Sequence, residues 1–266
     1  MPSSVALRFN AVALLLALLN TASIVVNALS SPKAIRRQPI GRITSLDRSK
    51  LDSTTDTKFY RNPNLVTHTD DTFIQRLEDV YREHLPSENG VILDIMSSHV
   101  SHLPSDVPLQ RVDVHGMNAQ ELERNPARNA TGGNLYVRDL NDNPSFVGLI
   151  DDNQEYDAVL CCVGVQYLEE PEAVFAEVGR ILKPDTGVLI VSFTNRFFYQ
   201  KALQGWIDRG MQERARLVQD YSRAAGGFDS VQVVGDGTSV WNQLASLGGF
   251  VGDPFVAVVA KRNNEP

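Results

Sequence analysis

An acid closes a short apolar run in Gly90-Val91-Ile92-Leu93-Asp94, and small hydroxyl residues follow it: Ser97, Ser98 and, further along, Ser101. A run of this length between turn signals reads as a buried strand. In open α/β sheets, ligands bind in the crevice beyond the carboxyl ends of the strands. A carboxylate there attracts a cation most where solvent is excluded. Small polar residues at a strand-to-helix turn commonly hold anions. A second acid, Asp139, ends the run Leu135-Tyr136-Val137-Arg138, where it can cap the turn that follows. Gln166 and Tyr167 follow a third apolar run; Tyr167 also reads as a packing residue with a polar tip. Asn195 and Arg196 end a fourth, where they touch a substrate or lie in a solvated loop. His99 and His102 stand three apart, on one face if helical, and His115 comes later. A metal site needs a third ligand and an ordered second shell. Hydrogen bonding to the serines accounts for these histidines, and no metal is expected.

These residues need a scaffold to hold them. Asp70 and Asp71 cap a helix whose apolar face is Phe73, Ile74, Leu77, Val80 and Tyr81, and Pro86 ends it. Strands are expected at Val91–Leu93, Arg111–Gly116, Leu135–Arg138, Ala158–Val163 and Val188–Phe193. Between them, Asn118 opens a helix with Glu121 completing a capping box. Pro171 opens another, with Val174, Phe175, Val178, Ile181 and Leu182 inward, and Lys183-Pro184 is turn chemistry. Trp206 to Tyr221 is helical in pattern. Val231–Val234 and Phe255–Val259 read as an antiparallel pair at the sheet's end. The fold class that follows is α/β: a Rossmann-like, doubly wound, mainly parallel sheet with an antiparallel terminal hairpin.

The 266 residues suffice for one such domain plus a tail. Net charge is -7, yet residues 1–50 hold seven Lys and Arg against one acid, Asp47. The body is therefore more acidic than the whole, which argues against nucleic-acid binding. The two cysteines, Cys161 and Cys162, are adjacent and read as buried thiols at a strand end. Ala11 to Leu19 is wholly apolar, and Val26-Asn27-Ala28 offers a cleavage site, so residues 1–28 read as a secretory signal. No stable membrane anchor is expected once this leader is removed, since a span needs about 20 apolar residues. Residues 29–57 are basic and hydroxylated at first and then linker-like; the folded domain is expected at 58–262, with 263–266 a tail. A signal followed by a transit-like stretch resembles the two-part leader of algal plastids. A secreted or endomembrane protein is the alternative, consistent with the sequon Asn129-Ala130-Thr131.

Three segments carry a family resemblance. They are Val91 to Pro104; Asp139-Leu140-Asn141; and Tyr156-Asp157-Ala158-Val159-Leu160 with Tyr167-Leu168-Glu169-Glu170-Pro171 and Glu177-Val178-Gly179-Arg180-Ile181-Leu182-Lys183-Pro184. Over roughly residues 58–262 the chain resembles class I S-adenosylmethionine-dependent methyltransferases of the type 11 group. Within them it is similar to a methyltransferase-like subgroup of plants and algae. The resemblance implies S-adenosylmethionine as cofactor and a small-molecule acceptor. It implies Asp94 near the methionine end and Asp139 near the adenine amino group, with Ser97, Ser98, Met117, Asn118 and Leu140 lining the loops between. Gln166, Tyr167, Asn195 and Arg196 fall on the acceptor side. The chain departs from the family's glycine-rich first motif, placing Met96, Ser98 and Val100 where glycines are usual. It also has Gly116 where an acid usually meets the ribose.

Two functions follow: methyl transfer to a small acceptor, or a methyltransferase-like fold that binds without transferring. A dinucleotide-dependent reductase is a distant third, because no G-x-G-x-x-G follows the first strand. The leader makes its own prediction. Mass spectrometry of the native N-terminus is expected to find nothing upstream of Leu29, and intact Met1 would contradict it.

Overall fold

The computed structural model describes residues 44–236 and 252–264. The signal reading of residues 1–28 lies outside them, as does the first part of the 29–57 segment. Among the described residues, seven strands form one sheet in the order β3-β2-β1-β4-β5-β7-β6. They are β1 (Gly90–Asp94), β2 (Leu109–Gly116), β3 (Leu135–Val137), β4 (Ala158–Cys162), β5 (Val188–Phe193), β6 (Phe228–Gly235) and β7 (Val256–Arg262). Strands β1 to β5 pair in parallel, and β7 lies antiparallel to both β5 and β6. The fold is Rossmann-like and doubly wound. Strand order reverses between β1 and β4, which opens a crevice at their carboxyl ends.

Alternation along each strand explains why the sheet is buried on both faces. Leu93, Val159, Leu189, Val191 and Val258 face one core, while Ile92, Leu160, Ile190 and Val259 face the other. The first core is closed by α5 (Pro171–Ile181) through Val174, Phe175 and Val178, and by α7 (Met211–Ala225) through Val218 and Tyr221. The second is closed by α2 (Asp71–His84) through Phe73, Leu77 and Tyr81. Asp70 caps α2, accepting the amide of Phe73 at 2.9 Å. The Lys183 ammonium reaches Asp157 at 2.7 Å, and Asp157 accepts the amide of Val91 at 2.9 Å, so the turn after α5 is tied to the start of β1.

Four expectations need correction. First, no helix follows β1: residues 95–108 are irregular. Val100 is β-branched, Pro104 lacks an amide hydrogen, and Ser97 and Ser98 are tied to Asp94 and Glu121, so nothing sustains helical bonding there. The helix N-terminus expected beside Asp94 is absent from this segment. Second, Trp206 to Tyr221 is not one helix. It divides into α6 (Gln204–Ile207) and α7, and the amide of Gly210 restarts the second by donating to Glu213. Third, the helix opened by Asn118 is one turn, α3 (Ala119–Leu122), followed by α4 (Pro126–Thr131). Asn118 caps it, but the Glu121 carboxylate turns away to Ser98 and to the amide of Asn64, so the capping box is half made.

Fourth, the folded body starts before Lys58. The amide of Gln204 donates to Ser49 and that of Asp52 to Gln200, which lays residues 47–52 along the chain after β5. The short helix α1 (Asp56–Phe59) follows. Asp56 is the hub. Its carboxylate meets Lys50 at 2.8 Å, Lys201 at 3.2 Å and the Asn141 amide at 3.0 Å. Lys201 is wholly buried and also meets Asp52 at 3.2 Å. Removing one partner of a buried ion pair strands the other charge and costs about 3–5 kcal/mol. Lys201→Met is therefore expected to lower unfolding free energy by about 3 kcal/mol, read by urea titration; a change within error would contradict the hub.

Candidate functional site

A cavity of about 500 Å³ opens at the carboxyl ends of the parallel strands. That volume suits a drug-sized ligand. Its floor comes from the ends of β1, β2 and β4 and from the loop after β1. Its roof is the segment 56–69, which crosses from the loop after β5 to α3.

The floor is built by backbone proximity. The Ser97 amide donates to the His115 carbonyl at 2.8 Å, which draws the loop after β1 against the end of β2. A Cβ on Gly116 would meet the Ser97 carbonyl oxygen at 2.5 Å. Glycine is required there by close approach, which explains why no acid occupies the end of β2. His115 is buried; its Nδ1 accepts the Met96 amide at 3.4 Å and its Nε2 faces the Arg138 carbonyl at 3.1 Å. Burial pushes the imidazole down to about 4, so the ring is neutral at pH 7. Of the three positions where glycines were expected, only Met96 takes a left-handed conformation, with φ 54°. Its side chain packs over Gly164. His102 and Val163 are also left-handed, with φ 50° and 51°, and all three line the cavity. Strained residues of this kind cluster at functional sites.

Asp94 is 3% exposed and lines the cavity. It accepts the Ser97 hydroxyl at 2.5 Å, and Ser101 also bonds to it. No Lys or Arg pairs with it among the described residues. Burial pushes its carboxyl up to about 7, against the pull of the two serines. Asp139, half-buried, accepts the Asn141 amide at 2.9 Å and also lines the cavity, so the cap and the wall are one residue. Burial raises its carboxyl, and Asp56 adds to the effect.

Most of the expected site residues come together here, though not all in the expected role. Met117 and Leu140 form apolar wall. The Ser97 hydroxyl is spent on Asp94, and that of Ser98 on Glu121 at 2.7 Å. Asn118 lines the cavity, but its amide donates to the carbonyls of Tyr60 and Arg61 at 3.0 Å each and its oxygen caps α3. It holds the roof. Tyr167 lines the cavity with its hydroxyl accepting the Phe198 amide at 2.9 Å. Arg196 is at the rim, paired with Asp253 at 2.8 Å.

Two acceptor-side expectations fail. Gln166 is buried away from the cavity, its amide donating to the Val163 carbonyl at 2.8 Å. Asn195 is exposed outside the cavity wall. The peptide direction after β4 and β5 turns each inward or outward, and residue type does not encode that. Ser101 is buried and accepts Asn125 at 2.8 Å. His99 bonds Ser98 at 3.2 Å as expected, while His102 joins it in the cavity wall without a helix to align them. Cys161 is buried as expected; Cys162 is half-buried and reaches the cavity, with its thiol pushed up to about 12 by burial. Sequence reasoning missed the roof entirely: Phe59, Tyr60, Val66, His68 and Thr69. A polar stretch of ion-pair contacts carries no periodic signal.

No protein-family model and no curated protein matches the chain. Solved structures of similar fold exist. A Haemonchus contortus phosphoethanolamine N-methyltransferase 2 in complex with S-adenosyl-L-methionine has a TM-score of 0.48 at 14% identity, covering 85% of this chain and 61% of that one. The same enzyme with phosphomonomethylethanolamine and S-adenosylhomocysteine has a TM-score of 0.46 at 13% identity, covering 71% and 52%. An S-adenosylmethionine-dependent methyltransferase from Clostridium acetobutylicum has a TM-score of 0.46 at 12% identity, covering 75% and 93%. The chain thus spans between half and two thirds of the Haemonchus chains it resembles. The likeness is one of fold.

The Asp94 environment predicts a pH signature. Its folded value, about 7, lies above the ordinary carboxylate value of 3.8, so the folded state holds the extra proton between those two values. Stability from the neutral carboxyl is fully present below pH 4 and is lost as pH rises through 7. Asp94→Asn keeps a neutral side chain. The melting temperature of the variant relative to the original is therefore expected to be higher at pH 8 than at pH 5. A difference that does not vary with pH would remove the raised value.

Proposed function

We propose that this cavity binds S-adenosylmethionine and that the chain transfers its methyl group to a small-molecule acceptor. The observation that carries the reading is Asp94: a buried carboxylate with no Lys or Arg partner among the described residues, in the wall of a ligand-sized cavity at the sheet's switch point. A buried acid left without a cation is complementary to a cationic ligand.

The residues present fit this cofactor in charge and shape, with a loop of different construction from the glycine-rich one. When bound, S-adenosylmethionine supplies an electrophilic methyl group on a sulfonium. Asp94 pairs with the ammonium of its amino-acid end. Asp139 accepts a hydrogen bond from the adenine amino group through the oxygen that Asn141 leaves free. Met117 and Leu140 pack on the ring. Ser97 and Ser98 act indirectly, since their hydroxyls are committed: Ser97 orients Asp94, and Ser98 with Glu121 ties the floor to the roof. The segment 56–69 excludes water and holds the acceptor in line, and alignment of the reacting atoms supplies much of the rate in such a displacement.

Calorimetric titration with S-adenosylhomocysteine tests the reading. Asp94 must be ionised to pair with the ammonium, and in the free chain its value is about 7. Affinity is expected to rise about tenfold from pH 6 to pH 8 as the proton leaves. In Asp94→Asn it is expected to be weaker and independent of pH in that range. Absence of binding to the unaltered chain at pH 8 refutes cofactor binding and leaves a methyltransferase-like fold that serves another ligand.

A further inference from the structure

We infer that the roof side of the cavity is a subsite for a neutral, hydroxyl-bearing aromatic molecule, packed against the open surface of Phe59 and Phe198 with its hydroxyl at His68 and Thr69. Its assignment to the methyl acceptor rests on the proposed function; the binding itself does not.

The first observation is apolar surface turned into a cavity. Phe59 is 38% exposed and Val66 is 54% exposed, and both line the cavity. Phe198 lies between two edge-on neighbours, with ring centroids 5.4 Å from Phe59 and 5.4 Å from His68. Aromatic rings favour such edge-to-face contacts. One side of Phe59 is already covered, since the Lys201 ammonium stands 5.5 Å from its centroid. A planar guest would extend this ring cluster along the surface left open.

The second observation is a hydroxyl without a partner. Thr69 is 7% exposed, lines the cavity, and its Oγ1 makes no hydrogen bond among the described residues. A buried polar atom left unpaired is destabilising, and a ligand hydroxyl removes that cost. The neighbouring His68 imidazole also makes no hydrogen bond among the described residues. Its value lies below the ordinary one because its surroundings desolvate it, with Glu121 opposing and His99 adding. The neutral ring offers one nitrogen as an acceptor. Threonine donates or accepts as needed, so the pair satisfies both the proton and a lone pair of one hydroxyl.

The third observation concerns charge. Among the described residues, the cations lining the cavity are Arg138, after β3, and Arg196, already paired with Asp253. Asp56 is neutralised by Lys50 and Lys201. Among the described residues the roof side therefore offers an anion no unpaired Lys or Arg, while the Glu121 carboxylate repels one. A carboxylate or phosphate on the guest is disfavoured there, and a neutral phenol is not.

Ligand-observed NMR titration of the full chain with p-cresol, toluene and benzoate tests this without any cofactor. One hydrogen bond contributes about 1 kcal/mol, or roughly fivefold in affinity. p-Cresol is expected to bind at least about fivefold more tightly than either probe. His68→Ala and Thr69→Val are each expected to reduce that preference while the melting temperature holds. Equal or tighter binding of toluene or benzoate to the unaltered chain overturns the subsite, as does a preference untouched in both folded variants. Titration of the same sample with S-adenosylhomocysteine separates the two readings. Cofactor binding without phenol preference sinks the subsite alone, whereas phenol preference without cofactor binding upholds the subsite and sinks only its role as acceptor site.

Discussion

The contact between the Ser97 carbonyl and Gly116 sets the floor on which everything else rests. Two backbones that close leave no room for a side chain, so the end of β2 contributes shape but no charge. The same approach lets the Ser97 amide reach the His115 carbonyl and puts Met96 in a left-handed turn. That turn costs about 1–2 kcal/mol for a residue with a Cβ. Neutral His115 helps to offset it by accepting the Met96 amide, and Met96 packs over Gly164. With no helix after β1, this network does the work of positioning Asp94.

The roof is held by a different kind of force. Residues 56–69 show two exposed apolar side chains to the cavity and bury little of their own, so apolar packing does not fix them. Polar bonds do: Asp56 to Lys50, Lys201 and Asn141, Asn118 to the carbonyls of residues 60 and 61, and Glu121 to Asn64. At the far end the amides of Asp70 and Asp253 donate to each other's carboxylates at 3.0 and 2.7 Å. Such contacts are directional, so they give the roof one position over the floor.

This division explains what was legible in the sequence. Strand alternation at Leu93, Val159 and Leu189 and the spacing of Phe73, Leu77 and Tyr81 report apolar burial, and the sheet and its covering helices follow from them. The caps at Asp70 and Asn118 are local and were equally readable. Asp94 and Asp139 could be placed because strand ends are positions in a fold; Met117 and Leu140 were expected only through the family resemblance. The roof could not, because Lys50, Asp56 and Lys201 find one another across about 150 residues with no period to mark them. The missing helix after β1 was hidden for another reason. Serines and one proline at the start of a segment are compatible with a capped helix or with none, and the deciding contact, Gly116 against Ser97, joins residues on two different strands' ends.

The two halves of the cavity therefore carry opposite chemistry for a physical reason. On the floor, Asp94 sits in a network whose other members, Ser97, Ser101 and His115, are neutral, so no Lys or Arg among the described residues cancels its charge. On the roof, every charge that enters the wall brings its counter-charge or a set of hydrogen bonds with it, because those pairs are what hold the roof in place. A segment fixed by ion pairs has used its charges and presents the ligand with rings, an imidazole and a hydroxyl. A ligand complementary to both must then be cationic where it meets the floor, while whatever lies against the roof is neutral. Two molecules, one for each half, satisfy that requirement more readily than one, which is the arrangement the proposed transfer needs.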